Sequence, residues 1–427
     1  MRLRGIITAL HKSDFMRHNA VFFLGSLAVS VLNYLYYPVL SRMLNLEEYG
    51  EAQILISLFL QLTIFLTVLS QVSINIVANS KSDKQQISLL LELEKFAFII
   101  SIAVLIIGSM LSPVFKDVLN FTDALPFIVL LIALVCTVPL TFRSAYLRGH
   151  KAFTSVSVAN IVGSAGKILV SALLVAIGLS TPGAIGGIIA AQLLAFMYAA
   201  HKAKAIGFVR PSMRSYFKPP NLTMLLPELK YGGLVLIASL GVLLLSSIDM
   251  LFVKYYFDAE TAGGYAGVAT VAKILFFLTA SVAQVMLSSV KLASPQKQNR
   301  QLLIKSGVLV AGLGGITLLL FVLFPKFFVT TLMGDHFADY AYLLPTLSIA
   351  LFVISILNLI VLYFMALRRY IVGALVTAGV GLTFSLLLSM HSSLTDIVNG
   401  LLLGSVGMLT LIIAWQIIDK TIRSRYA

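Results

Sequence analysis

The chain has 427 residues, of which 59% are hydrophobic and only 11% charged, and its mean hydropathy is +0.98. Soluble domains carry about 25% charged residues, so this composition excludes a water-soluble fold and places the protein in a bilayer. A formal net charge of +14 raises nucleic acid as a partner, and the distribution of that charge along the chain removes it.

A spanning helix needs about 20 mostly apolar residues, because the hydrocarbon core is ~30 Å thick and the helix rises ~1.5 Å per residue. After a basic lead-in, residues 1–18, which lacks the small-residue site of a cleavable signal, twelve segments meet that requirement. They are 19–41, 52–77, 95–115, 124–145, 154–177, 183–201, 231–256, 264–290, 304–325, 341–365, 370–390 and 396–417. The stretch 202–230 between the sixth and seventh carries Pro211, Pro219, Pro220, Pro227 and six basic residues, which reads as a cytoplasmic linker between two six-helix bundles, 19–201 and 231–417. Residues 418–427 form a tail. The expected fold is an all-α polytopic membrane protein of twelve helices.

With the N-terminus inside, Lys and Arg gather on the cytoplasmic side, from Arg2 and Arg4 through Arg143, Arg148 and Lys151 to Lys420, Arg423 and Arg425. The opposite side keeps Arg42, Lys116, Lys254 and Lys326 among acids such as Glu47, Glu48, Asp117, Asp258, Asp335 and Asp339. The positive-inside rule then places both termini in the cytoplasm and accounts for the basic charge without nucleic acid.

An internal repeat is visible when the second half is laid on the first at an offset of 213. Gln71 falls on Gln284, Gly50 on Gly263, Glu47 on Glu260, Lys84 on Lys297 and Gln85 on Gln298. Six spans is an even number, so the two halves run in the same orientation, as a parallel repeat.

The motifs of covalent chemistry are missing. Cys136 is the single cysteine, no His-x-x-x-His or Glu-x-x-His occurs, and there is no P-loop, no GxGxxG opening a βαβ unit and no GxSxG. No cofactor and no metal site are expected.

Charges inside apolar spans cost on the order of 3 kcal/mol on insertion scales and mark cavities or partners. Lys167 lies near the middle of the fifth span with no carboxylate within a turn, so it lines a wet cavity or borrows a partner from another helix. Asp249 and Lys273 are equally far from residue 261, which puts them at one depth on adjoining antiparallel spans. That arrangement suits either a structural ion pair or a cavity pair whose lysine exchanges its carboxylate for an anion. Arg42 and Lys254, at outer helix ends, read as snorkelling side chains. The polar Gln71, Gln284 and Asn33 either face a cavity or join helices together, and Tyr34, Tyr36 and Tyr37 suit an interfacial belt or a stacking surface.

The stretch Asn33-Tyr-Leu-Tyr-Tyr-Pro-Val-Leu-Ser-Arg-Met-Leu-Asn-Leu-Glu-Glu-Tyr-Gly50 resembles the first helix and outer turn of the polysaccharide flippases. Asp249-Met-Leu-Phe-Val-Lys-Tyr-Tyr-Phe-Asp-Ala-Glu-Thr-Ala-Gly-Gly-Tyr265 resembles their seventh, and Lys230-Tyr-Gly-Gly and Arg148-Gly-His-Lys-Ala-Phe153 add to the likeness. These are the Wzx-type O-antigen and exopolysaccharide flippases of the multidrug/oligosaccharidyl-lipid/polysaccharide (MOP) exporter superfamily. The resemblance implies a transporter of the bacterial cytoplasmic (inner) membrane, not an enzyme. Two bundles would enclose a cationic cavity and flip undecaprenyl-diphosphate-linked oligosaccharide by alternating access, for lipopolysaccharide or other surface polysaccharide. Membrane lipid, a polysaccharide polymerase and a chain-length regulator are the partners it implies. On this reading Lys167 and Lys273 bind the head group with Asp249, Gln71, Gln284 and Asn33 around the cavity. Arg143, Arg148 and Lys151 then serve its entry, and Arg42 and Lys254 its exit.

Two rivals are weighed. A cation-coupled multidrug exporter of the same superfamily favours intramembrane carboxylates, whereas this chain sets two lysines against one clear carboxylate, Asp249. A membrane polymerase or glycosyltransferase needs sizeable outer loops, and the longest here runs from about Lys326 to Tyr340. Glu47 and Glu48 are more simply explained as opening the second helix, whose positive end favours acids.

Overall fold

A computed structural model describes residues 14–79, 83–208, 219–221, 225, 236, 239–290, 295–369 and 371–426. Every element among them is helical. In chain order these are α1 (Asp14–Ser41), α2 (Leu46–Asn79), α3 (Asp83–Val118), α4 (Leu125–Gly149), α5 (Phe153–Leu174), α6 (Ser180–Ala205) and α7 (Ile248–Tyr256). There follow α8 (Ala259–Ser289), α9 (Gln296–Leu323), α10 (Pro325–Met333), a 3₁₀ segment Asp335–Leu343, α11 (Leu344–Ala366), α12 (Ile371–Ser389) and α13 (Leu394–Tyr426).

Nine stretches among the described residues are helical, long and apolar enough to cross a membrane, or ten when the bent pair Ser239–Leu245 and Ile248–Tyr256 (45°) is taken as one span. Phe153–Ala205 enters that number once, although it turns back at Val175–Leu179, where Gly178 has φ 94°, so that α5 and α6 pack against each other. Most of the expected linker 202–230, and the start of the expected seventh span, lie outside the described residues.

The chain divides into two compact units. The first holds Met1–Leu44, Leu58–Lys116 and Thr122–Gly232. In it α6 lies against α4 and α5, while α1 lies against α5. The cause is legible in α6, where Gly183, Gly187, Ala191, Ala195, Ala199 and Ala203 recur every fourth residue and are all buried. Small residues at that spacing form a flat stripe that lets backbones approach, the usual basis of association in lipid, where burying apolar side chains gives no advantage over the acyl chains. A Cβ on Gly187 would overlap the Ser171 hydroxyl of α5.

The second unit holds Asn45–Ser57, Asp117–Phe121 and Gly233–Ala427. Here α8 and α9 pack on α11, and α12 on α13. Among the candidate spans of the described residues, α3 and α9 are the least buried. Ile106, Ile107 and Met110 of α3 and Val308, Ile316 and Leu319 of α9 are exposed, as lipid-facing residues would be.

Two helix starts 213 residues apart are capped in a similar way. Asn45 caps α2, its Oδ1 accepting from the Glu48 amide at 2.8 Å while Glu48 Oε2 accepts from the Asn45 amide at 3.2 Å. Asp258, 213 residues later, caps α8, with Oδ1 accepting from the Thr261 amide at 2.9 Å. Glu47 and Glu48 sit in the first turn of α2, as read from the sequence. Replacing either cap by alanine is expected to cost about 1 kcal/mol, measurable as lowered thermal stability of the purified protein. Hydrogen bonds from Thr261 hold the Asp258 carboxyl below its usual range. Its share is therefore fully present above the unfolded value of ~3.9 and is lost as pH falls through the lowered folded value.

Candidate functional site

In the first unit, α1 presents Asn33 and Tyr36 one turn apart to α5, which carries Lys167. The Lys167 ammonium donates to Asn33 Oδ1 at 2.8 Å and lies 4.3 Å from the centre of the Tyr36 ring. Tyr36 is buried and is fixed by its own hydroxyl, which donates to the Ala184 carbonyl at 2.8 Å. Tyr37 meets that ring edge-on at 5.7 Å, and Tyr34 meets Tyr37 likewise at 6.2 Å. The lysine thus has an amide and an aromatic face and, among the described residues, no carboxylate within 4.0 Å. A cation so held lacks a counter-ion and suits an incoming anion.

In the second unit, Asp249 of α7 is 2% exposed. Its Oδ2 accepts from the Tyr265 hydroxyl at 2.5 Å, and its Oδ1 makes no hydrogen bond. Lys273 of α8 donates to Met250 Sδ at 3.0 Å and to Ser57 Oγ at 3.5 Å. A thioether is a weak acceptor, so this ammonium is poorly satisfied. Asp249 and Lys273 influence each other electrostatically without forming an ion pair within 4.0 Å. The turn explains why. It consists of Phe257 and Asp258, so the residue level with Asp249 is Tyr265, equally far from 257, and Lys273 lies two helical turns further along α8.

Two sequence readings change. Arg143, expected to meet a head group, is 5% exposed, with Nη1 donating to Glu94 Oε2 at 2.7 Å and its guanidinium 4.1 Å from the Phe208 ring. One residue along α3, Lys95 pairs with Glu92 at 2.5 Å, and Glu92 also accepts from the Asn221 amide at 2.9 Å. Lys254, expected to snorkel, is 0% exposed, with Glu51 Oε1 at 4.0 Å. In both cases the partner carboxylate comes from a helix distant in sequence.

The other candidates are placed as follows. Arg42 is exposed at the end of α1, Nη1 donating to the Pro38 carbonyl at 2.8 Å. Arg148 is half-buried with no hydrogen bond at Nε, and Lys151 is exposed. Gln71 and Gln284 are both exposed, on α2 and α8. Sequence reasoning missed Tyr265, Ser57, Met250, Glu94 and Phe208. Only Tyr265 carried a signal, as the last residue of the second outer-turn motif. The described residues include no group of three His, Cys, Asp or Glu side chains suited to a metal.

A family model described as polysaccharide biosynthesis protein matches residues 15–287, well over half of the chain. No curated relative matches the sequence. Among solved structures, the lipid II flippase MurJ in an inward closed conformation matches with a TM-score of 0.71 at 10% identity, over 93% of this chain and 87% of that one. An inward-facing multidrug resistance MATE family transporter of the MOP superfamily matches at 0.68 and 13% identity, over 92% and 95%. A MOP superfamily transporter from Pyrococcus furiosus, whose structure is described by a reversed polarity of its binding pocket, matches at 0.55 and 13%, over 96% of each.

Proposed function

This chain belongs to the polysaccharide biosynthesis protein family, and we propose that it flips undecaprenyl-diphosphate-linked oligosaccharide repeat units from the cytoplasmic to the outer leaflet of a bacterial inner membrane. The product serves O-antigen or another surface polysaccharide, and both termini are cytoplasmic. The observation that carries the reading is Lys167, a membrane-embedded ammonium held by Asn33 and Tyr36 without a carboxylate. A diphosphate is a multivalent anion, and in a low-dielectric setting it binds such a group strongly. Lys273, resting on a thioether and a hydroxyl, is the corresponding ligand of the second unit. The solved neighbours include a lipid II flippase, so the same fold serves a lipid-carrying transporter. The protein changes no covalent bond; it binds, reorients and releases by alternating access.

The test is reconstitution into liposomes with a fluorescent undecaprenyl-diphosphate oligosaccharide and a membrane-impermeant glycosidase. The protein is expected to expose the lipid of the protected leaflet to the enzyme. Protection unchanged from empty liposomes would contradict the reading. A second reading, cation-coupled drug export, is favoured by one observation, the buried Asp249 oxygen without a partner. It predicts efflux of a cationic dye that Asp249→Asn abolishes, with the lipid left where it was.

A further inference from the structure

One hydrogen-bonded turn closes α4, α6 and α11. At the end of α4 the Lys151 amide donates to the Arg148 carbonyl at 2.9 Å and the Ala152 amide to the Leu147 carbonyl at 2.9 Å. The end of α11, 217 residues further on, has Arg368 donating to Met365 at 2.9 Å and Arg369 to Phe364 at 3.0 Å. In α6 Gly207 donates to Lys204 at 3.1 Å and Phe208 to Ala203 at 3.0 Å. The fifth residue of such a turn takes a positive φ, which glycine enters freely and a residue with a Cβ does not. α6 has Gly207 there, at φ 101°. α4 and α11 place Lys151 there at φ 59° and Arg368 at φ 55°, and both side chains are exposed.

The helix dipole does not account for this exchange. A cation near a helix C-terminus is favourable, but α6 obtains it from Lys202 and Lys204 in its last turn while keeping glycine at the strained position. α4 likewise already has Arg148 in its last turn. An exposed basic side chain kept in a strained conformation is better explained by what it meets outside the helix. Its neighbours are positive as well. Arg148 has no hydrogen bond at Nε, and neither it nor Lys151 has a carboxylate within 4.0 Å among the described residues. In the second unit Arg369 follows Arg368, and Arg369 and Arg300 of α9 both act electrostatically on Tyr363, which holds in α11 the place of Tyr146 in α4. Several cations at one helix end suit a phosphate, whose oxygens accept charge-assisted hydrogen bonds.

With the termini cytoplasmic, each turn lies on the inner side, where the membrane surface is anionic. One cargo molecule per cycle needs a single entry, whereas a site in each unit suits the bulk lipid that borders it. We propose that Lys151 and Arg368 are docking points, one in each unit, for the phosphate of an anionic phospholipid of the inner leaflet. The leaflet follows from the placement of the termini; the phosphate chemistry depends neither on that placement nor on the cargo.

The experiment titrates the full-length protein, purified in a neutral detergent, with phosphatidylglycerol, and with net-neutral phosphatidylcholine as the control, while its melting temperature is followed. Phosphatidylglycerol is expected to raise the melting temperature more than phosphatidylcholine, as a ligand of the folded state does. Lys151→Gly with Arg368→Gly removes both cations and relieves both turns, so the melting temperature without lipid should stay level or rise. The phosphatidylglycerol concentration at half-effect should increase about fivefold, the factor that ~1 kcal/mol per basic residue at a lipid surface gives. Lys151→Asn with Arg368→Asn, whose side chains tolerate positive φ, should behave alike. A half-effect concentration unchanged in both variants would leave the two cations as helix-end charges and overturn the proposal, as would a native protein that phosphatidylglycerol stabilises no more than phosphatidylcholine. So would a weakened response confined to undecaprenyl diphosphate, which would make the turns an entry for cargo. Because the assay reads lipid binding and not transport, a protein that flips no glycan can still uphold the docking points, and their failure leaves the carrier reading standing.

Discussion

Lys167→Met is expected to leave the protein folded and inserted while lowering transport of a diphosphate-linked lipid by about 10- to 100-fold, the effect of losing a hydrogen bond to a charged group, ~1.5–3 kcal/mol. Methionine keeps the length of the stem, and the native partners of the ammonium are an amide oxygen and a ring face, neither of which becomes an orphaned charge. Thermal stability should therefore fall little or rise. Transport and melting of the purified protein, measured on one preparation, separate this outcome from a structural lysine, whose loss would lower both together. Lys167→Arg should restore part of the transport, since a guanidinium also pairs with phosphate but with a different reach.

Arg143→Ala has the opposite profile. Its guanidinium is buried, paired with Glu94 at 2.7 Å and covered by Phe208. Removing it leaves a 1%-exposed carboxylate without its cation, which is expected to cost about 3–5 kcal/mol. Expression and melting temperature should collapse before any transport measurement becomes meaningful. The double change Glu94→Leu with Arg143→Met, which removes both charges, should recover most of that stability. If Arg143→Ala lowered transport with the melting temperature intact, the guanidinium would be a ligand-binding group after all.

These two residues also mark what a sequence discloses about such a protein. The apolar blocks and the turn motifs are local or periodic, so the membrane fold and the family were legible from the residues. Lys167 stood out for the same reason, as a charge placed where a charge is costly. Its partner Asn33 is 134 residues away, and only the packing of α1 on α5 brings the two together. Arg143 was read as a head-group contact and Lys254 as a snorkelling side chain, because the carboxylates nearest to them in the structure come from other helices. Glu94 is 49 residues from the first, and Glu51 reaches the second from another helix. Burial of a long basic side chain is a tertiary property, and helix ends suit snorkelling and pairing equally well. The depth of Asp249 was estimated from a turn centred at 261, whereas the helix stops at Tyr256. That shift, about one turn, moved its partner from Lys273 to Tyr265. The stripe from Gly183 to Ala203, by contrast, is a plain four-residue period that the sequence reading passed over, and its members are buried along α6.

The most direct test of the account is to find which leaflet holds the lipid-linked oligosaccharide in cells lacking this protein, using a membrane-impermeant glycan label on spheroplasts. Single repeat units should accumulate on the inner leaflet and return to the outer one with the native chain, but not with Lys167→Met or Lys273→Ala. Single units already displayed on the outer leaflet of the deletion strain would contradict the account and point to a step after flipping.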